Sequence, residues 1–305
     1  ALDASEVNAS AIVVSGGGRI EGEGILSATS VTISDGTLSP GNSPGLISIN
    51  GDLILGADSN LQIDVAGANP ANPDFDQIDV TGDVTLAGTL TVSLLNGYLP
   101  DISETFRFLT FASSSGAFAT VDQPQRNGLN LFTEQPGATY YDLKGAAYVV
   151  RNTNDSGPYS LRQAITTANA TSGHEQILFD IPGAGSHTIS PTSALPSITE
   201  ALVIDASTQA SYSGTPLVEL DGSSIVVAAS GLSVIANDSL IKGLAIVDWT
   251  NVGVIFNGDN NRLQSSYVGI HVDGMTAGAN ASGGVWITSG NHNFIGTDGD
   301  GVDDA

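Results

Sequence analysis

A phrase that returns in register along the second half of the chain constrains the fold more than any other feature. Gly231-Leu-Ser-Val-Ile-Ala-Asn reappears as Gly253-Val-Ile-Phe-Asn, and again as Gly284-Val-Trp-Ile-Thr-Ser-Gly. The first two lie 22 residues apart, and the third follows after a longer stretch that carries an insertion. Polar residues (Asp238, Asp259, Asn291) and a second short apolar stretch follow each phrase. A period in the low twenties, made of short strands and small turn residues, is the mark of a solenoid. One turn of that size cannot bury its own apolar face, so it must stack on its neighbours.

Charge narrows the partners. The chain has a formal net charge of -24, and Lys144 and Lys242 are its only lysines. Phosphate binding needs clustered Lys and Arg, so nucleic acid and anionic membrane surfaces are excluded as partners. The carboxylate excess favours divalent cations. With no cysteine, disulfides, thiolate metal sites and thiol catalysis drop out. No run approaches the roughly 18 apolar residues of a membrane span, so no membrane insertion is expected. The start, Ala1-Leu-Asp-Ala-Ser, has neither the basic nor the apolar part of a leader. The end, Gly299-Asp-Gly-Val-Asp-Asp-Ala305, stops inside what reads as a polar turn. The expectation is a piece of a longer chain that continues end to end into further β-structure, its own or that of a neighbouring subunit.

Two domains are expected, 1–147 and 148–305. The first reads as short alternating strands, among them Leu46-Ile-Ser-Ile, Leu61-Gln-Ile-Asp-Val and Thr89-Leu-Thr-Val-Ser-Leu, punctuated by Gly-Asp, Asp-Gly and Pro-Gly turns. Gly51-Asp-Leu-Ile-Leu and Gly82-Asp-Val-Thr-Leu look like two copies of one unit. From Gly97 to Val150 the pattern loosens and gathers Phe106, Phe108, Phe111, Phe118, Tyr140 and Tyr141, which read as the core of a closing element. One segment breaks the β pattern. Leu161, Ala164, Ile165 and Ala168 fall at i, i+3, i+4 and i+7, the stripe of an amphipathic helix over 160–169 with Ser160 as its N-cap. Strands return from Gln176 onward. The fold class is thus all-β, a right-handed parallel β-helix with one short capping helix near 160–169.

Longer stretches carry a family resemblance. Thr37-Leu-Ser-Pro-Gly-Asn-Ser-Pro-Gly-Leu-Ile-Ser-Ile-Asn-Gly-Asp-Leu-Ile-Leu and Asp76-Gln-Ile-Asp-Val-Thr-Gly-Asp-Val-Thr-Leu-Ala-Gly-Thr-Leu-Thr-Val resemble the passenger-associated repeat of autotransporter adhesins. Val149-Val-Arg-Asn-Thr-Asn-Asp-Ser-Gly-Pro-Tyr-Ser-Leu-Arg-Gln-Ala-Ile-Thr-Thr-Ala-Asn resembles the start of the right-handed parallel β-helix repeats of very large secreted bacterial proteins, as do Ile177-Leu-Phe-Asp-Ile-Pro-Gly, Leu195-Pro-Ser-Ile-Thr and Ile241-Lys-Gly-Leu-Ala-Ile. The resemblance implies an extracellular, cell-surface location and a strand followed by a capping helix. It implies no activity, because these families are defined by scaffold. Where they carry Asn-x-Ile-x-Gly-Asn, this chain has Arg262-Leu-Gln-Ser-Ser, so no asparagine ladder is expected there.

The strongest candidate for chemistry is Thr297-Asp-Gly-Asp-Gly-Val-Asp-Asp304. Alternating carboxylates around glycines suit Ca2+, with Asp298, Asp300 and Asp304 as side-chain ligands and the Val302 carbonyl beside them. Position one of such a loop falls on Gly296, which offers no side chain, so a solvated turn is the competing reading. A second acidic group, Asp74, Asp76 and Asp79, reads as a turn with outward carboxylates. His174, His187, His271 and His292 are dispersed without metal spacing. Asp238, Asp248, Asp259 and Asp273 form no pair that spacing singles out for glycoside cleavage. No catalytic residue and no cofactor other than Ca2+ is expected. The function read from these features is that of a structural or adhesive bacterial surface protein: a stalk, adhesin or filament subunit. The alternatives are a carbohydrate-active β-helix enzyme, lyase or hydrolase, and a carbohydrate-binding module that stacks surface carbohydrate on Trp249 and Trp286, although core packing suits both tryptophans better.

Overall fold

The computed structural model describes residues 2–41, 44–70 and 74–296. Nearly all of its regular structure is β, its sheets are built largely of parallel strands that curl as half a barrel, and one α-helix occurs among the described residues. The chain divides into two compact units, Ala1–Ala146 and Ala147–Ala305.

In the first unit the chain passes repeatedly through three parallel rows. One row aligns Ile12, Val31, Leu53, Val84 and Ser114 as register partners. A second aligns Gly24, Ile47, Ile78 and Leu109. A third aligns Arg19, Thr37, Asn60, Thr89 and Thr120. The alternation in Leu46–Leu55 explains the burial. Ile47, Ile49, Leu53 and Leu55 face the interior, while Asn50 and Ile54 face out. The chain turns between rows at Gly51, whose φ is 139° and where a Cβ would lie 1.8 Å from the Ala28 carbonyl oxygen. Only glycine fits there. The two related stretches lie side by side: Gly82 N donates to Gly51 O and Asp83 N to Asp52 Oδ1, with Leu53 opposite Val84. The parallel pattern ends in an antiparallel set, in which Tyr140–Gly145 pairs with both Thr105–Thr110 and Phe132–Pro136. Phe106 is fully buried there and stacks edge-on against Phe75 and Phe132 at 5.5 Å; with Phe108, Phe111 and Tyr141 it forms core, whereas Phe118 and Tyr140 are only half-buried.

Among its described residues the second unit has three parallel sheets. The first runs Tyr148–Val150, Glu175–Phe179, Leu202–Asp205, Leu240–Lys242, Arg262–Gln264 and Phe294–Gly296. The second runs His187–Ile189, Val218–Asp221, Leu244–Val247 and Tyr267–Val268. The third holds the three repeated phrases, Leu232–Val234, Val252–Phe256 and Gly283–Ile287, with Leu232 opposite Val254 and Val254 opposite Val285. Their leading glycines stack: a Cβ on Gly231 would meet the Gly253 carbonyl oxygen at 2.4 Å, and one on Gly253 the Gly284 carbonyl oxygen at 2.7 Å.

The helix, α1, spans Leu161–Ala168, and Ser160 Oγ accepts the Gln163 N–H as its cap. Its four stripe residues are buried against the strands Tyr148–Val150 and Glu175–Phe179. Side chains fasten it at both ends. Arg162 bonds Asp155 and the carbonyls of Ser193 and Ala194, while Asn169 donates to Ser197 O and accepts from Thr199 N.

Candidate functional site

Corner residues join successive passes through side-chain bonds to backbone. In the first sheet of the second unit, Leu202 N donates to Ser239 Oγ, Ser239 N to Asn261 Oδ1 at 2.9 Å, and Asn261 N to Asn293 Oδ1 at 2.8 Å. The amide groups reach back as well, Asn261 Nδ2 to Ala236 O and Asn293 Nδ2 to Gly258 O. Asn261 and Asn293, with Ser239 in the pass before, thus form a short ladder, to which the stretch Arg262-Leu-Gln-Ser-Ser, where no asparagine ladder was expected, contributes no residue. It lies one residue before Arg262, where the side chain turns into the corner and meets backbone groups that no strand pairs. A second corner follows the same rule, with Trp249 N donating to Asn280 Oδ1 and Asn280 Nδ2 to Ile246 O.

One grouping of charged side chains among the described residues centres on His271. Glu219 sits inside the buried strand Val218–Asp221, with its side chain 9% exposed. Asp248 follows Leu244–Val247 in a left-handed corner, φ 57°. His271 opens a hairpin closed by the Ile270–Ala277 bridge and by His271 N to Thr276 O. Its Nδ1 lies 2.9 Å from Glu219 Oε2 and its Nε2 3.4 Å from Asp248 Oδ2. Glu219 Oε2 also accepts Val272 N at 3.1 Å. Burial alone would lower the His271 pKa, but the Glu219 bond and the charges of Glu219, Asp248 and Asp273 together raise it above the ordinary value. Asp273 turns away, capping Met275 N, Thr276 N and the Thr276 hydroxyl, and these bonds hold its carboxyl well below the usual range. The histidine and its partners stand 52 and 23 residues apart in sequence, a separation that spacing alone could not join. The available clue was a glutamate within the apolar run Leu217-Val-Glu-Leu.

Asp76 overturns the outward-turn reading of its cluster. Its side chain is buried, and its residue is 0% exposed. Oδ1 accepts Gly45 N at 2.7 Å and Oδ2 accepts Asp64 N at 2.9 Å, while Asp76 N donates to Asp64 O. Burial pushes its pKa up to about 7, against the lowering effect of those two bonds and with the charges of Asp64 and Glu23 adding to the rise. Asp79, by contrast, is exposed and accepts the Thr110 hydroxyl.

The other candidates separate. Trp249 is buried with Nε1 donating to Leu220 O, so it packs, whereas Trp286 is 45% exposed. Asp238 accepts Asn260 Nδ2, and Asp259 accepts Asn291 N; both belong to corners. His292 lies exposed in a left-handed turn. The proposed Ca2+ ligands Asp298, Asp300 and Asp304 lie outside the described residues. Among the described residues no three His, Asp or Glu side chains converge to hold a metal ion, and no helix is long and apolar enough to cross a membrane. No family model, curated protein or solved structure matches the chain.

Proposed function

We propose that the chain is a β-solenoid, a right-handed parallel β-helix in its second unit, serving as a structural or adhesive element of an extracellular bacterial surface protein: a stalk, adhesin or filament subunit. The observation that carries this reading is the corner ladder through Leu202, Ser239, Asn261 and Asn293, which bonds each pass to the next independently of the strands. Such a chain derives its stability from neighbour-to-neighbour contacts and extends by adding passes. An outer surface rich in carboxylates keeps it soluble and spaces it from other acidic polymers. The cell-surface assignment rests on the two resemblances in sequence. On this reading its partners are further β-passes, its own or those of a second copy, and surface carbohydrate, and Ca2+ at Asp298, Asp300 and Asp304 would brace the acidic turn.

A second reading, a polysaccharide hydrolase or lyase, draws on the Glu219–His271–Asp248 grouping. Incubation with a panel of neutral and acidic polysaccharides decides between them. The scaffold reading expects no new reducing or unsaturated ends. Their release, abolished by Asp248→Asn in a folded protein, would replace it with the enzymatic one.

A further inference from the structure

We propose that His271 is the bolt of a protonation-dependent latch that holds the 270–277 hairpin down on the strands beneath it. The hairpin is the insertion that lengthens the interval between the second and third repeated phrases. It is internally stiff: Ile270 bridges Ala277, Gly274 N donates to His271 O, and Asp273 caps the tip. Met275, at the tip, is 88% exposed. The described polar contacts from its side chains and amides to the preceding passes run through two residues, His271 to Glu219 and Asp248, and Val272 N to Glu219.

The chemistry of the imidazole makes this contact conditional. Both ring nitrogens face carboxylates, Nδ1 that of Glu219 and Nε2 that of Asp248. Only the imidazolium carries an N–H on each nitrogen. The neutral ring keeps one, and directs a lone pair at whichever carboxylate is left. Among the described residues the charged groups that act on the ring are all carboxylates: Glu219 from the strand below, Asp248 from the corner beside it and, through its charge alone, Asp273 from the hairpin itself. Gly278 and Val247 flank the Nε2 side of the ring: a Cβ built on Gly278 would sit 2.8 Å from Nε2 and 2.7 Å from Val247 Cβ. The raised pKa fixes the direction. The latch contributes fully below the ordinary histidine pKa and is lost as pH rises through the raised value in the folded chain.

The test uses the whole chain. Histidine ring resonances are followed by NMR through a pH titration, and amide exchange of the 268–279 segment is measured across the same range. His271 is expected to titrate above about 6.5, the ordinary value. Protection of Val272 and Gly274, corrected for intrinsic exchange, should fall several-fold through that titration while Leu244–Val247 stays protected. Asp248→Asn should shift the titration and the loss of protection downward together. His271→Gln should remove the pH dependence. A His271 titration at or below the ordinary value would overturn the latch. So would hairpin protection that does not change with pH, or a pH dependence that survives in a folded His271→Gln protein.

Discussion

Asp76→Ala is expected to destabilise the first unit by about 2–5 kcal/mol, since it leaves the Gly45 and Asp64 N–H groups buried without an acceptor, at roughly 1–3 kcal/mol each. Asp76→Asn keeps the volume and one acceptor but turns an amide NH2 toward one of the two donors, so it should cost less, about 1–3 kcal/mol. The two variants differ in a second way. A buried carboxyl raised to about 7 is protonated in the folded chain at pH values where the unfolded chain has already ionised. Its contribution is therefore fully present below the ordinary carboxylate pKa, declines as pH rises toward 7, and is gone above that. Wild-type protein should lose stability in the first unit across that window, and Asp76→Asn should not. Both tryptophans lie in the second unit, so the readout is amide exchange in Leu46–Leu55 and Asn60–Val65. Equal pH dependence in wild type and Asp76→Asn would show that another group titrates.

Asn261→Ala is the second large effect. Asn261 is 0% exposed, accepts Ser239 N and donates to Ala236 O, so its loss strands a donor and an acceptor in the interior. The expected cost is about 2–4 kcal/mol. Asn261→Ser should recover part of it, because Ser239 performs the acceptor role one pass earlier, toward Leu202 N. Denaturation followed by the emission of buried Trp249 reports the second unit directly. A change below about 0.5 kcal/mol, the range of ordinary surface substitutions, would mean that the ladder adds nothing to the strand pairing.

Features whose cause is local were legible in the sequence. Helix α1 declared itself because Leu161, Ala164, Ile165 and Ala168 share one face and all four are buried. The repeated phrases aligned as paired strands because alternation fixes which residues face inward, and a slip of one residue would expose them all. Asp76 was misread because Asn-Pro-Asp-Phe-Asp is turn-like locally, while the two amides that hold its carboxyl come from Gly45 and Asp64. The asparagine pair Asn261 and Asn293 was not singled out, since the corner one residue before Arg262, and not the strand, decides which side chain meets unpaired backbone. Glu219 and His271 were invisible as a pair because register between passes, not sequence distance, brings them together.

The central claim is that phrases distant in sequence are stacked neighbours in a wound β-chain, and the lack of cysteine allows a clean test. Ser233 is the register partner of Ile255, and Ile255 that of Trp286. Adjacent strands lie about 4.8 Å apart, within the Cα separation that a disulfide spans. Three double variants are compared under mild oxidation: Ser233→Cys with Ile255→Cys, Ile255→Cys with Trp286→Cys, and Ser233→Cys with Trp286→Cys. The account predicts rapid intramolecular disulfides in the first two, with native Trp249 emission retained, and none in the third. A third pair that closes as readily as the others, or a first pair that stays reduced in folded protein, would contradict it.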